Sequence, residues 1–379
     1  MNKKLNKKVP DLRFSEFKED WNELKFSKLI ELISGQHLSP NEYSLDSGEI
    51  PYFTGPSDFT NDVVKLTKWT SFSGKFAQKG DILITVKGNG VGEMLFLHLP
   101  CVAMGRQLMA IRPIKVVGEI IYQKLYTYRQ QLQALASGNV IPGLSRPDIL
   151  GTKICLPSID EQEKIASFLG AVDMRLTQLR RKRELLQTYK RGVMQKIFSQ
   201  GIRFKQDDGS NFSEWEEKRV ADIATNISSG RSKVSKDFGD YPIYGSTGII
   251  GKSEIGDYSG EAILIARVGA NAGKISFASG VYGVTDNTII VNAKSSYNIY
   301  LLRIQLEIER LNLMVFGSGQ PLITGTQIKK LQLVCPESIK EQVKIVNFLT
   351  AIDRKIEAIS QQIDLTEQFK KGLLQKMFV

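Results

Sequence analysis

Histidine is nearly missing from this chain: His37 and His98 are the only two in 379 residues. They stand far apart and show no ligand spacing, and no CxxC occurs anywhere, so a zinc site has too few donors. A Ser-His-Asp or Cys-His nucleophile would need one of those two histidines. Two adjacent prolines occur nowhere, which removes an NPPY-type adenine methyltransferase motif. Cysteine is scarce and odd in number (Cys101, Cys155, Cys335), which in a long chain without an export signal predicts reduced thiols in the cytoplasm. Cys155 and Cys335 each sit in or beside a short apolar run ending at proline, KICLP and LQLVCP, and are expected to be small buried hydrophobes.

Long hydrophobic runs are missing too. The best, MLFLHLPCVAM, is interrupted by His and Pro and falls short of the ~18 residues of a membrane span. MNKKLNKK is basic like the start of a signal peptide, but the polar VPDLRFSEFKEDW that follows has no apolar core, so no export is expected. Negative charge is in deficit, with 51 Lys and Arg against 40 Asp and Glu and a net charge of +11. That balance favours a polyanionic partner, either nucleic acid or an acidic membrane surface, with simple solubility as the plain alternative.

What is present is a duplication with a period of about 180 residues, too long for a solenoid. EQEKIASFLGAVD (Glu161 to Asp173) returns as EQVKIVNFLTAID (Glu341 to Asp353), and LQTYKRGVMQKIF (Leu186 to Phe198) returns as TEQFKKGLLQKMF (Thr366 to Phe378). Upstream, Trp21, Phe26 and Leu29 align with Trp215, Val220 and Ile223. IPYFTG parallels YPIYGS, GDILITVKGNGVGEMLF parallels GEAILIARVGANAGKISF, and SGNVIPGLSRPDI parallels SGQPLITGTQI. The plan is domain, helix, domain, helix. Short β-rich runs such as ILITV, AILIA and TIIVN, broken by Gly, Asn, Ser and Pro, predict mixed sheets. Helical spacing covers Gly118 to Ala136 and Tyr297 to Val315, which makes each half an α+β domain.

The repeated helices carry heptads. Ile165, Leu169, Val172, Leu176, Leu179, Leu186, Val193 and Ile197 hold an a/d frame, with Arg183 and Lys190 as charged exceptions. Ile345, Leu349, Ile352, Ile356, Ile359, Ile363, Leu373 and Met377 do the same, with Thr366 and Lys370 out of character. About five heptads predict a coiled coil, and antiparallel pairing would put the two domains at opposite ends of a rod of roughly 57 Å. Two separate helices, each packed on its own domain, is the alternative.

Several motifs fail on spacing. GSTGIIGKS resembles a P-loop, but Ser246 stands where GxxxxGK[ST] requires glycine. KGNGVGE and RVGANAGK lack dinucleotide spacing; the glycines they share predict a tight turn after a strand, which could still offer N–H groups to phosphate. RRKRE (Arg180 to Glu184) reads as a solvated helix face or as a contact for phosphate or a partner helix. The remaining polar clusters carry the side chains that read base edges and position phosphates: Thr54, Ser57, Lys87, Asn89, Arg106, Gln107 and Asn139 in the first half, and Arg231, Lys233, Tyr244, Ser246, Arg267, Asn271, Asn287 and Gln320 in the second. Ordinary polar loops would look the same by residue type.

Taken together, RF-x-x-F-x-x-x-W at Arg13 to Trp21, the SG segments before each helix, and P-x-x-x-EQ-x-KI-x-x-FL-x-x-x-D after Pro157 and Pro336 resemble the specificity (S) subunit of type I restriction-modification systems. The likeness covers the whole chain, with the longer KQDDGSN segment as a departure. It implies target-recognition domains at 1–156 and 201–335, conserved helices at 157–200 and 336–379, and a pseudo-two-fold α+β arrangement in which the helices pair as an antiparallel coiled coil. It further implies a non-catalytic cytoplasmic subunit whose domains each read half of a split site in double-stranded DNA. The helices would set the spacing and dock two methyltransferase subunits that bring S-adenosylmethionine. Restriction-motor subunits would bring ATP and Mg, and this chain would hold no cofactor. A coiled-coil adaptor with incidental DNA contact, or an enzyme with an unfamiliar motif, are the competing readings.

Overall fold

The structure, a computed structural model, describes residues 9–71, 74–88, 90–137, 143–233, 239–317 and 321–378. The chain divides into two compact units, Met1–Arg181 with Ile359–Val379, and Lys182–Ala358.

In the first unit, β1 (Asn22–Lys25) leads to β2 (Ile30–Ser34), β3 (Ile50–Phe53), β4 (Trp69–Thr70), β5 (Phe76–Gln78), β6 (Ile82–Thr85), β7 (Met94–Phe96), β8 (Cys101–Met104) and β9 (Leu108–Pro113). Helices α1 (Gly118–Ser137) and α2 (Arg146–Leu150), strand β10 (Lys153–Leu156) and the first half of α3 (Ile159–Phe198) follow. Two four-stranded sheets form, in the orders β2-β9-β6-β7 and β4-β3-β8-β5, and β1 pairs with β10. Among the described residues, all ladders are antiparallel except β3 with β8. ILIT in β6 is buried at every position, as a strand covered on both faces must be.

The second unit repeats this plan. It holds β11 (Glu216–Arg219), α4 (Val220–Ile223), β12 (Ala224–Ser229), β13 (Tyr241–Gly245), β14 (Gly248–Ser253), β15 (Tyr258–Ser259), β16 (Ala262–Ala266), β17 (Ile275–Ala278), β18 (Val281–Val284) and β19 (Thr288–Ala293). Then come α5 (Ile299–Ile308), α6 (Gly325–Lys330), β20 (Gln332–Cys335) and α7 (Ile339–Met377), whose second half belongs to the first unit. The sheets run β12-β19-β16-β17 and β14-β13-β18-β15, β11 pairs with β20, and again among the described residues only one ladder, β13 with β18, is parallel. The P-loop look-alike is the β13–β14 hairpin. The shared glycines take left-handed conformations in matched pairs: Gly88 and Gly269 at φ 88° and 77°, Gly92 and Gly273 at 84° each. An L side chain is strained there, so the repeat of glycine reflects backbone geometry. Ser145 and Thr324 cap α2 and α6 with matching capping boxes.

One helix differs from expectation. Helical spacing ran from Tyr297 to Val315, yet α5 stops at Ile308 and Arg310 adopts φ 48°. Gly273 approaches so closely that a Cβ on it would lie 2.5 Å from the Asn312 nitrogen, and the chain turns there to bury Leu311. At the matching Gly92 the neighbours are side-chain atoms of Gln133 and Arg129 together with a helix carbonyl, and α1 runs unbroken for 20 residues. Cys335 is fully buried under Tyr297 and Gln305, whereas Cys155 is half-buried.

The repeated motif is explained by matching contacts in each unit. Glu161 and Glu341, 1% and 0% exposed, take ion pairs from Arg13 at 2.8 Å and Arg203 at 3.5 Å. The hydrogen bond to Glu161 raises the Arg13 guanidinium above its ordinary value. Gln162 and Gln342 each donate to a proline carbonyl, of Pro157 and Pro336, and accept from the backbone N–H of Val117 and Asn298. A buried carboxamide spends donor and acceptor on the backbone, tying the start of each long helix to its sheet unit. Phe378 stands edge-on to Trp21 and Phe198 edge-on to Trp215.

In the first unit, Ile165 and Leu169 of α3 share a core with Leu373, Leu374 and Met377 of α7; Asp173 accepts from Lys370 at 2.6 Å and Arg180 donates to Glu367 at 2.6 Å. In the second, Val193 and Ile197 of α3 share a core with Ile345 and Leu349 of α7, and Lys190 donates to Asp353 at 2.6 Å. In the first unit the contacts run antiparallel, with α3 numbers rising as α7 numbers fall. Leu176, Leu179, Ile352, Ile359 and Ile363 are buried, and Val172, Leu186 and Ile356 half-buried. Lys190 and Lys370, two of the charged interruptions of the heptads, are the residues that meet the terminal aspartates of the repeated motif. Among the described residues, no helix is long and apolar enough to cross a membrane.

Lys124 of α1 is 2% exposed, with its ammonium 4.9 Å from the Tyr128 ring and 5.5 Å from that of Phe378. Burial pulls it down from 10.5 to about 8. Between those values the unfolded chain holds a proton that the folded chain has released, so stability rises with pH through that window. Lys124→Met is expected to stabilise the protein at pH 7 by about 1–3 kcal/mol and to abolish that rise. Thermal melts of both proteins from pH 7 to 10 check this; parallel curves would contradict it.

Candidate nucleic-acid interface

In the first unit, parallel pairing of β3 with β8 sets two strand ends side by side. The Gly105 N–H donates to the Phe53 carbonyl at 2.7 Å, and the Leu108 N–H closes the Gly105-Arg106-Gln107 turn onto Gly105 at 2.9 Å. The Val86 N–H then donates to the Gln107 carbonyl at 2.8 Å, joining the end of β6 to the same place. Lys87 bridges to Gly143 in the segment before α2. The Gln107 Oε1 atom lies beside Gly55 and Gly88. Lys87, Arg106, Gln107 and Ser57 are exposed.

Thr54 reaches the same edge but is occupied internally. Its N–H and hydroxyl both donate to Asp58, at 2.7 and 2.6 Å, and Lys68 donates to Asp58 and to the Thr54 hydroxyl at 3.0 Å. Burial pushes the Asp58 carboxyl up, but the hydrogen bonds from Thr54 and Lys68 outweigh it and hold the group below the usual carboxylate range. Thr54 therefore shapes the loop that presents Ser57.

The second unit builds the same edge with different side chains. The Thr285 N–H donates to the Tyr244 carbonyl at 2.9 Å, the Thr288 N–H to Thr285 at 3.1 Å, and the Arg267 N–H to the Asn287 carbonyl at 2.8 Å. A cleft of about 440 Å³ opens there, lined by Arg231, Ser232, Lys233, Ile250, Thr285, Asp286 and Asn287. Ser232 is buried; its hydroxyl donates to Asp257 and accepts from the Val284 N–H at 2.9 Å, which leaves Arg231 and Lys233 exposed on either side. The Arg267 guanidinium makes long contacts of 3.4 Å to the Ser229 hydroxyl and the Asp286 carbonyl. Tyr244 is half-buried, edge-on to Tyr282 at 5.9 Å. Ser246 and Asn271 are half-buried, with Asn271 closing the Gly269–Asn271 turn and its carbonyl accepting from Lys274.

Each unit thus gathers most of its candidates at the ends of a parallel strand pair. Asn89, Asn139 and Gln320 lie outside the described residues. Ile250, Thr285 and Asp286 line the cleft and were absent from the candidates read from sequence. Ile250 is an apolar residue of a hairpin strand, and it is the β12–β19 pairing, with the Ser232 N–H donating to the Val284 carbonyl at 2.8 Å, that brings residues 231–233 to residues 285–287. In the sequence Arg106-Gln107 parallels Asp286-Asn287, each just before a β-like run, and that likeness is the signal that points there. His37 and His98 are both exposed.

The family model described as type I restriction modification DNA specificity domain matches the chain twice, at residues 18–187 and 212–368. Among curated proteins of Methanocaldococcus jannaschii, the putative type I restriction enzyme MjaX specificity subunit is 26% identical over 193 residues, 50% of this chain and 45% of that protein. The type I restriction enzyme MjaVIII specificity subunit is 21% identical over 396 residues, 94% of this chain and 91% of that one. The chain thus spans under half of the first relative's length and nearly all of the second's. Among solved structures, the S subunit of a type I restriction-modification system from M. genitalium superposes with a TM-score of 0.69 at 19% identity, over 98% of this chain and 99% of that one. At that identity the likeness speaks for the fold.

Proposed function

Because the chain belongs to the type I restriction modification DNA specificity domain family and carries two copies of the domain, we propose that it is the subunit that chooses the DNA sequence for a type I restriction-modification complex. Each unit reads one half of a bipartite site in double-stranded DNA through the edge where its parallel strand pair ends. The paired helices set the distance between half-sites and dock two methyltransferase subunits, which bring S-adenosylmethionine. Restriction-motor subunits bring ATP and Mg. The chain itself is non-catalytic, binds no cofactor and works in the cytoplasm.

One observation carries this reading. Two units with the same sheet orders and matching helix contacts differ in the exposed side chains of the matching turns after β8 and β18, Arg106 and Gln107 against Asp286 and Asn287. A constant frame with changed reading residues suits two different half-sites and two copies of one partner.

The test is methylome sequencing of a host that carries the methyltransferase partner with and without this chain. A split motif that appears only with the chain is the expected result. Methylation of the same motif without it, or methyl transfer by this chain alone, would sink the proposal. A coiled-coil adaptor would show no steep salt dependence of DNA binding, because that slope comes from phosphate contacts.

A further inference from the structure

The same three-residue turn follows the second strand of each parallel pair: Gly105-Arg106-Gln107 after β8, Thr285-Asp286-Asn287 after β18. Their equivalence rests on backbone hydrogen bonds. The first residue donates to the last or next-to-last residue of the partner strand, Phe53 or Tyr244, and the third accepts from Val86 or Arg267 at 2.8 Å in both units. In that register the middle residue changes sign, from Arg106 to Asp286, whereas the third is a carboxamide both times.

Nothing in the turn requires a carboxamide, because backbone groups close it. Both side chains are exposed, and among the described residues neither has a hydrogen-bond partner. Gln107 lies over Gly55 and Gly88, where no side chain covers it, and Asn287 lines the cleft with Arg231 and Lys233. An exposed carboxylate at Asp286 would be repelled by a phosphate backbone, so a turn bearing it is better suited to base edges. In the major groove a carboxamide offers one donor and one acceptor in a plane, which match N7 and the N6 amine of adenine.

We propose that Gln107 and Asn287 are equivalent specificity residues, each reading one adenine in its own half of the DNA target. This rests on the sequence-choosing role above. Arg106 and Asp286 then make the surroundings of the two adenines differ.

The experiment uses the purified complex of this chain with its methyltransferase partner and a duplex carrying its methylated motif. Each adenine of the half-sites is replaced in turn by 7-deazaadenine, which removes the N7 acceptor and keeps Watson–Crick pairing. One replacement in each half should weaken binding by about tenfold. In the Gln107→Ala complex one of these sensitivities should vanish, and in the Asn287→Ala complex the other. Methylomes of the same variants should relax at that single base, with the other half-site and the gap unchanged. The proposal is overturned if the wild-type complex has no sensitive adenine, or if the alanine variants keep the wild-type sensitivities. Should an alanine variant bind no DNA at all, Gln107→Met or Asn287→Leu, which keep the size and lose the amide, takes its place in the scan and the same outcomes decide. A wild-type complex that binds target and unrelated duplexes equally would instead remove the sequence-choosing role itself.

Discussion

Replacing Arg13 with methionine is expected to destabilise the first unit by about 3–5 kcal/mol, since it leaves Glu161 buried without its cation. Glu161 is 1% exposed, and both of its oxygens receive hydrogen bonds from Arg13, from Nε at 2.8 Å and from Nη2 at 2.8 Å. Water cannot replace that cation. Glu161 also lies in the first turn of α3, where unpaired N–H groups favour a negative charge, so the loss should fall toward the lower end. Arg203→Met in the second unit should cost less, because the Arg203–Glu341 contact is longer, 3.5 Å against 2.8 Å for Arg13–Glu161. Urea melts of the two variants followed by circular dichroism would show it. An Arg13→Met midpoint within error of wild type would refute the argument.

A four-residue insertion after Thr177 should lengthen the gap between half-sites while leaving both half-sequences intact. Four residues add about 6 Å of helix, close to two base pairs of rise. Such an insertion is a stutter, which a coiled coil absorbs by local unwinding, and Thr177 is exposed on α3. Asp173–Lys370 and Lys190–Asp353, on either side of the insertion, can each be kept within its own unit. Methylome sequencing reads the result directly. Altered half-sites with an unchanged gap would show that the helices do not act as the ruler.

The repeat was legible because its residues meet local demands that recur. The apolar positions of α3 and α7 show a helical period, and Gly88, Gly92, Gly269 and Gly273 stand where positive φ excludes side chains. Glu161, Gln162, Glu341 and Gln342 were visible as a motif but not as buried residues. Their meaning depends on partners such as Arg13, Val117, Arg203 and Asn298, up to 148 positions away in sequence. Lys190 and Lys370 looked like flaws in a heptad until Asp353 and Asp173 were found opposite them.

The candidate edge was only half legible. Residue type marked Lys87, Gln107, Arg231 and Asn287 as polar candidates, but equally marked Thr54, whose hydroxyl is spent on Asp58. Helical spacing likewise overran at Tyr297 to Val315, because a close backbone approach at Gly273 has no period. By itself, then, the sequence determined the duplication, the long helices and the division into constant and variable parts, all of which are written in local spacing. Which side chains share a surface was decided by tertiary structure alone. The parallel pairings of β3 with β8 and β13 with β18 join segments some 40 to 50 residues apart, and no local pattern encodes a hydrogen-bond register between them.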